Sequence, residues 1–92
     1  METTEIIMEM ENYLHVCGVQ RELNNKTVKA YRIDIIQFLD YLAVNQLSFD
    51  KKGISSYLDY LHDKYKQRTV KRKIASVKAF FNYLDYEERI ES

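Results

Sequence analysis

The chain has 92 residues, enough for one domain with a modest core, since a chain of this size buries only about 60–65% of its unfolded surface. Proline is absent, and glycine occurs only at positions 18 and 53, which argues against a β-sandwich or barrel because those folds need many turn residues. Apolar residues make up 46% and charged residues 30%, a globular balance rather than a disordered one.

The formal net charge is zero, but positive charge is concentrated in two segments. Residues 23–33 carry three basic residues and no acid, and residues 66–84 carry six basic residues and no acid. The remaining segments, 1–22, 34–65 and 85–92, are each net acidic. A polyanion would therefore meet local positive patches rather than a neutral protein.

Membrane and secretory classes are not expected. The sequence has no apolar run of about 18 residues and no N-terminal basic segment followed by an apolar stretch. Its single cysteine, Cys17, cannot form an internal disulfide. We expect a cytoplasmic protein that is monomeric in isolation and does not contact a membrane.

The first predicted helix covers about residues 4–17. Thr3 or Thr4 can cap its start, acidic residues crowd its first turns, and Gly18 is a natural stop. Its apolar stripe at helical spacing contains Ile6, Ile7, Met10, Tyr13, Leu14 and Cys17.

The second predicted helix covers about residues 25–45, and Asn24 is well suited to cap it. The link that follows, 46–50, contains Leu47 and Phe49, which we expect to enter the core. The stripe of this helix contains Val28, Tyr31, Ile35, Phe38, Leu39 and Leu42.

The third predicted helix covers about residues 51–65, with Asp50 as its cap and Gly53 in its first turn.

The fourth predicted helix covers about residues 67–86. Four amphipathic helices with short links predict an all-α, compact four-helix bundle that occupies residues 1–92 as a single domain. The stripe of the fourth helix repeats at spacings of four and three residues, through Val70, Ile74, Val77, Phe81 and Leu84.

The fourth helix is predicted to carry its basic residues on the face away from the core. With about 100° per residue and Val70 at zero, the apolar stripe lies within about 40° of zero. Arg68, Arg72 and Ser76 then fall on the far side, at about 160°, 200° and 240°, and Lys71 lies at about 100°. Lys73, near 300°, is the exception, and its stem can lie along the core edge.

The second helix repeats this arrangement, with Lys26 and Lys29 in its first turns and away from the stripe, beside Ala30 and Ile33. Positive charge at a helix N-terminus opposes the helix dipole, so two helices with that arrangement suggest another use for the charge. Cations and amides that converge at helix starts suit phosphate oxygens. The alternative is an ordinary solvated lysine-rich face.

Two stretches carry a family resemblance. One runs from Leu23 through Thr27 to Tyr31 and continues through Phe38 and Leu42; the other, 68–84, has a second early threonine, Thr69, and ends in Phe-Asn-Tyr-Leu. Both threonine-started helices, in this order and at this separation, resemble the N-terminal core-binding (SAM-like) domain of the tyrosine recombinases, or phage integrases. The resemblance covers about residues 4–90.

The resemblance implies a fold and a function. In that family this domain forms one half of a clamp around duplex DNA, and its second and fourth helices approach the major groove. The protomers also assemble on DNA, so other recombinase subunits are implied partners. Matched position by position, the DNA-facing residues are Lys26, Thr27, Lys29, Ala30, Ile33, Arg68, Thr69, Lys71, Arg72 and Ser76.

The family's strand-breaking chemistry resides in a C-terminal domain that this chain does not contain, so the resemblance predicts a DNA-binding domain without catalytic residues, metal or other cofactor. Thr27 and Thr69 would share a phosphate with free amides of their helix starts. The chain departs from the family at the cap of the fourth helix, where Lys66 stands in place of a frequent serine. His15, His62 and Cys17 are too scattered to predict a metal site.

The sequence also bears on three alternative functions. A helical protein-interaction module could use the basic face to dock an acidic partner. A helix-turn-helix regulator would need a short second helix after a tight turn, which the pattern does not contain. A stand-alone enzyme has no supporting constellation, and none of the eight tyrosines is predicted to be a nucleophile.

Overall fold

The computed structural model describes residues 2–87. Across these residues the chain forms four α-helices in the predicted order, so the all-α bundle is confirmed. Each helix begins and ends within two residues of its predicted bounds. The helices are α1 (Thr3–Val19), α2 (Asn25–Val44), α3 (Lys51–Lys64) and α4 (Gln67–Tyr86).

Two of the helix starts are capped as predicted. The Asn24 side chain accepts a hydrogen bond from the Thr27 amide at 2.9 Å, and the Asp50 carboxylate accepts one from the Gly53 amide at 2.8 Å. Each cap satisfies an amide that the helix itself cannot pair. The prediction of a threonine cap for α1 is wrong, because the cap residue is Glu2 and its side chain makes no capping bond.

α1 and α2 are each followed by a left-handed residue that is not glycine. α1 continues through Gly18 to Val19, so Gly18 is not the stop that the sequence predicted, and the left-handed residue after it is Glu22 at φ 55°. α2 ends at Val44, Gln46 two residues later is also at φ 55°, and the Leu47 amide donates to the Leu42 carbonyl at 2.9 Å. That bond closes a Schellman turn, which a glycine would form with less strain.

The core has two connected parts, and Phe49 lies between them. Its ring centroid is 5.9 Å from that of Phe38, 5.8 Å from that of Phe80 and 5.5 Å from that of Phe81. The predicted entry of Phe49 into the core is therefore confirmed, whereas Leu47 is 37% exposed and lies at the surface. Burial of a phenylalanine such as Phe38 contributes about 1.5–3 kcal/mol.

Two tyrosines are core residues. Tyr13 is buried, as its stripe in the first helix predicted, and Tyr57 is buried as well. Burial, the largest cause, raises the pKa of Tyr57 to about 12 and also raises the pKa of Tyr13. Their neutral phenols therefore pack as large apolar groups with a polar end. Tyr60 and Tyr86, in contrast, lie on the surface.

The two glycines are expected to respond in opposite directions to alanine. A Cβ at Gly53 would lie 2.4 Å from the Ser48 carbonyl oxygen and 2.8 Å from a methyl of Leu42, whereas a Cβ at Gly18 would meet only a methyl of Val28 at 3.9 Å. Gly53→Ala should lower the free energy of unfolding by about 1–3 kcal/mol. Gly18→Ala should raise it by about 0.5–1 kcal/mol.

Urea unfolding followed by circular dichroism measures both changes. Gly18→Ala is the matched control, because both substitutions add one methyl to a helical glycine. Equal effects of the two substitutions would contradict the close approach described at Gly53.

Candidate nucleic-acid interface

A fully buried carboxylate joins α2 to α4. The Asp34 side chain is 1% exposed, and its two oxygens accept hydrogen bonds from three side chains of α4. Arg72 Nη1 donates to Oδ2 at 2.8 Å, Ser76 Oγ donates to Oδ2 at 3.0 Å, and Lys73 Nζ donates to Oδ1 at 3.4 Å. An isolated buried carboxylate would be strongly unfavourable, so these partners are what allow Asp34 to lie between the helices.

The Lys73 ammonium is buried in the same cluster. It also donates to the Gln37 side-chain oxygen and lies 5.3 Å from the ring centroid of Tyr65, just before α4. Carboxylate, amide oxygen and aromatic face together satisfy a cation that is otherwise removed from water. The cluster thus ties the first half of α4 to the middle of α2.

Ser76 was predicted on the outer face of α4, and that placement is wrong. Ser76 is 5% exposed and bonded to Asp34. The wheel placed the apolar centre at Val70 and left out Phe80, which lies near 280° and is fully buried. With Lys73 at about 300°, the buried arc of α4 extends to the position of Ser76.

The sequence analysis did not predict a role for Asp34, although its spacing indicates a buried position. It lies three residues after Tyr31 and four before Phe38, which are both positions of the α2 stripe. An acid at a core position requires partners, and the basic residues of α4 supply them.

The start of α2 and the second turn of α4 line the same cavity. A shallow cavity of about 300 Å³ is lined from α2 by Lys26, Thr27 and Ala30 and from α4 by Arg72, with Asp34 at its base. Lys26 and Arg72 therefore lie on one side of the bundle, as the two helical wheels predicted.

The other predicted residues lie on the same two helices but do not line this cavity. Lys29 and Ile33 are exposed one and two turns along α2 from Lys26, and Arg68 and Lys71 are exposed in the first turns of α4. Thr69 is half-buried. The sequence predicted free amides beside Thr27 that could bind a phosphate. The Thr27 amide is not one of them, because it already donates to the Asn24 side chain.

The charge on this face is largely uncompensated. Within residues 2–87, none of Lys26, Lys29, Arg68 and Lys71 forms an ion pair. Asp34 offsets one positive charge, but Arg72 and Lys73 both pair with it, so the cluster keeps a net positive charge. We call the surface formed by Lys26, Lys29, Arg68, Lys71 and Arg72 the basic face.

The remaining arginine of α2 is neutralised elsewhere. Arg32 forms an ion pair with Glu11 of α1, on the α1–α2 side of the bundle. The hydrogen bond between them lowers the pKa of the Glu11 carboxyl and raises the pKa of the Arg32 guanidinium. Arg32 is therefore not part of the basic face.

Residues 2–87 contain neither a metal-binding cluster nor a membrane-spanning helix. No group of three or more histidine, cysteine, aspartate or glutamate residues there is placed to hold a metal ion. None of the helices in this range combines the length and the apolar character needed to cross a membrane.

These features define an all-α domain whose second and fourth helices form a shared basic face. Residues 10–88 match the family described as phage integrase, N-terminal SAM-like domain, and the chain belongs to that family. The resemblance recognised in the sequence is thereby confirmed.

Curated relatives are tyrosine recombinases. One from Agathobacter rectalis is 44% identical, over 88% of this chain and 27% of its own length. Tyrosine recombinase XerC from Staphylococcus saprophyticus is 36% identical over 77% of this chain and 25% of its own. Tyrosine recombinase XerC from Staphylococcus aureus is 34% identical over 79% of this chain and 26% of its own length.

The chain thus spans about a quarter of the length of the curated relatives it matches. No solved structure matches it.

The buried position of Ser76 can be tested by its effect on stability. Ser76→Ala removes a buried donor from Asp34 and should lower the free energy of unfolding by about 1 kcal/mol. Ser55→Ala, at an exposed position of α3, should change it by less than about 0.5 kcal/mol. Thermal unfolding measures the stability of both variants. Equal stabilities would contradict the buried position of Ser76.

Proposed function

We propose that this chain is the DNA-binding N-terminal arm of a tyrosine recombinase, and that the basic face contacts duplex DNA. The observation that carries the proposal is the convergence of Lys26 and Arg72 on one cavity. On the same two helices, Lys29, Arg68 and Lys71 form no ion pair within residues 2–87. Phosphate contacts supply most of the affinity of such surfaces and position the protein on the duplex.

The start of α4 adds support. Its cap residue, Lys66, makes no side-chain capping bond, and its first turn contains Arg68 and Thr69 but no acid. The positive end of the helix dipole therefore coincides with basic side chains instead of being offset by an acid. A phosphate at this end would relieve the repulsion between the dipole and the cations.

Side chains other than the lysines would have distinct roles. Arg72 can present its guanidinium edge to phosphate or to a base in the major groove. Ala30 and Ile33, also predicted to face DNA, supply small and apolar surface beside the lysines of α2. Ser76 would act indirectly, because it is buried and bonds to Asp34.

A recombinase needs more than this domain. The strand-breaking residues would lie in the part of the parent protein beyond this chain, and that part would close the clamp on the opposite side of the duplex. Further recombinase protomers would assemble on the same DNA, in the cytoplasm. Alone, this arm should bind weakly and without cleaving DNA.

Salt dependence provides the test of the proposed interface. Binding of the chain to a fluorescein-labelled duplex is followed by anisotropy over a series of salt concentrations. Lys29→Gln with Lys71→Gln should reduce the slope of log affinity against log salt by about two, since each phosphate contact contributes about 0.9.

The matched control is Lys51→Gln with Lys52→Gln. These lysines also lie in the first turn of a helix, but that helix is α3, and Lys51 lines a different groove, between α3 and α4. The control should leave the slope unchanged. Equal loss in both variants would contradict a localised interface, and tight binding to poly-glutamate without binding to DNA would favour an acidic protein partner.

A further inference from the structure

We propose that Asp34 is a positioning residue, whose buried carboxylate holds the Arg72 guanidinium at the rim of the α2–α4 cavity and directs its remaining N–H groups towards DNA. That the ligand is DNA rests on the proposed function. That Asp34 holds Arg72 does not, because this contact is present in the free protein.

The two ends of this pair have opposite environments. The Asp34 side chain is 1% exposed and the Arg72 side chain is 53% exposed, although they are joined at 2.8 Å through Nη1. One nitrogen of the guanidinium is thus anchored from inside the bundle, while other donors of the same planar group remain at the surface. An arginine held in this way loses less conformational freedom when it binds.

Asp34 cannot turn away from Arg72, because it is itself held. Ser76 donates to the same oxygen as Arg72, and Lys73 donates to the other oxygen. Both of these donors are buried. The carboxylate is therefore oriented by the hydrogen bonds from Ser76 and Lys73 and not by the arginine alone.

Lys73 also keeps the cluster around Asp34 net positive. A lone carboxylate beside Arg72 would cancel the charge that attracts a phosphate. The buried Lys73 ammonium offsets Asp34 instead, so Arg72 is both anchored and available as a cation. Asp34 would also stay paired if Arg72 moved towards DNA.

Nitrogen-15 NMR of arginine side chains tests the holding without DNA. In the wild-type chain the Arg72 side chain should give restrained, high-order-parameter signals, whereas the exposed Arg68 should not. Asp34→Asn should make Arg72 as mobile as Arg68. Glu11→Gln is the matched control, and it should release Arg32 but leave Arg72 restrained. An Arg72 that is already as mobile as Arg68 in the wild type would overturn the proposal.

A double-mutant cycle tests the role in binding. Asp34→Asn should weaken duplex affinity about tenfold when Arg72 is present and less than twofold in an Arg72→Ala background. Equal weakening in both backgrounds would overturn the positioning role. If the wild type binds no duplex at all, the proposed function fails as well, while the NMR result still decides whether Asp34 holds Arg72.

Folding of the variants needs its own safeguard. Asp34→Asn leaves the Lys73 ammonium buried without a counter-charge, which can destabilise the bundle. Asp34→Asn with Lys73→Met removes both buried charges and keeps the volume of the lysine. This pair should give the same mobile Arg72 and the same loss of affinity, and retention of either property would contradict the proposal.

Discussion

The arrangement of this domain depends on one buried carboxylate. Asp34 lies between α2 and α4 and accepts hydrogen bonds from Arg72, Lys73 and Ser76. A charge in the interior is tolerated only when partners satisfy it, so the contact selects one relation of the two helices. That relation places Lys26 and Arg72 on the same cavity.

Stability and the proposed binding therefore depend on the same residues. The inner side of the cluster supports the bundle, and its outer side ends in the Arg72 guanidinium at the surface. Helix starts that carry cations without acids are unfavourable for an isolated helix, yet α2 and α4 both have this feature. Packing of their apolar faces compensates for it, and the basic face is then available for a polyanion.

Much of the architecture was predictable because it depends on local chemistry. Asn24 and Asp50 mark helix starts by their side chains, and the apolar periodicity located the helices to within two residues. The helix ends were harder to predict, since Glu22 and Gln46 adopt left-handed conformations that residues other than glycine rarely take. Ser76 was misplaced because the helical wheel was centred on Val70 and left out the buried Phe80, which widens the buried arc of α4 as far as Ser76.

Amide chemical-shift mapping with a duplex tests the central claim most directly, namely that the starts of α2 and α4 form one polyanion-binding surface. The account predicts that the largest shifts occur at Lys26, Lys29, Arg68 and Lys71 and move together along a single binding curve. Shifts confined to the acidic helix α1, or shifts at only one of the two helix starts, would contradict it.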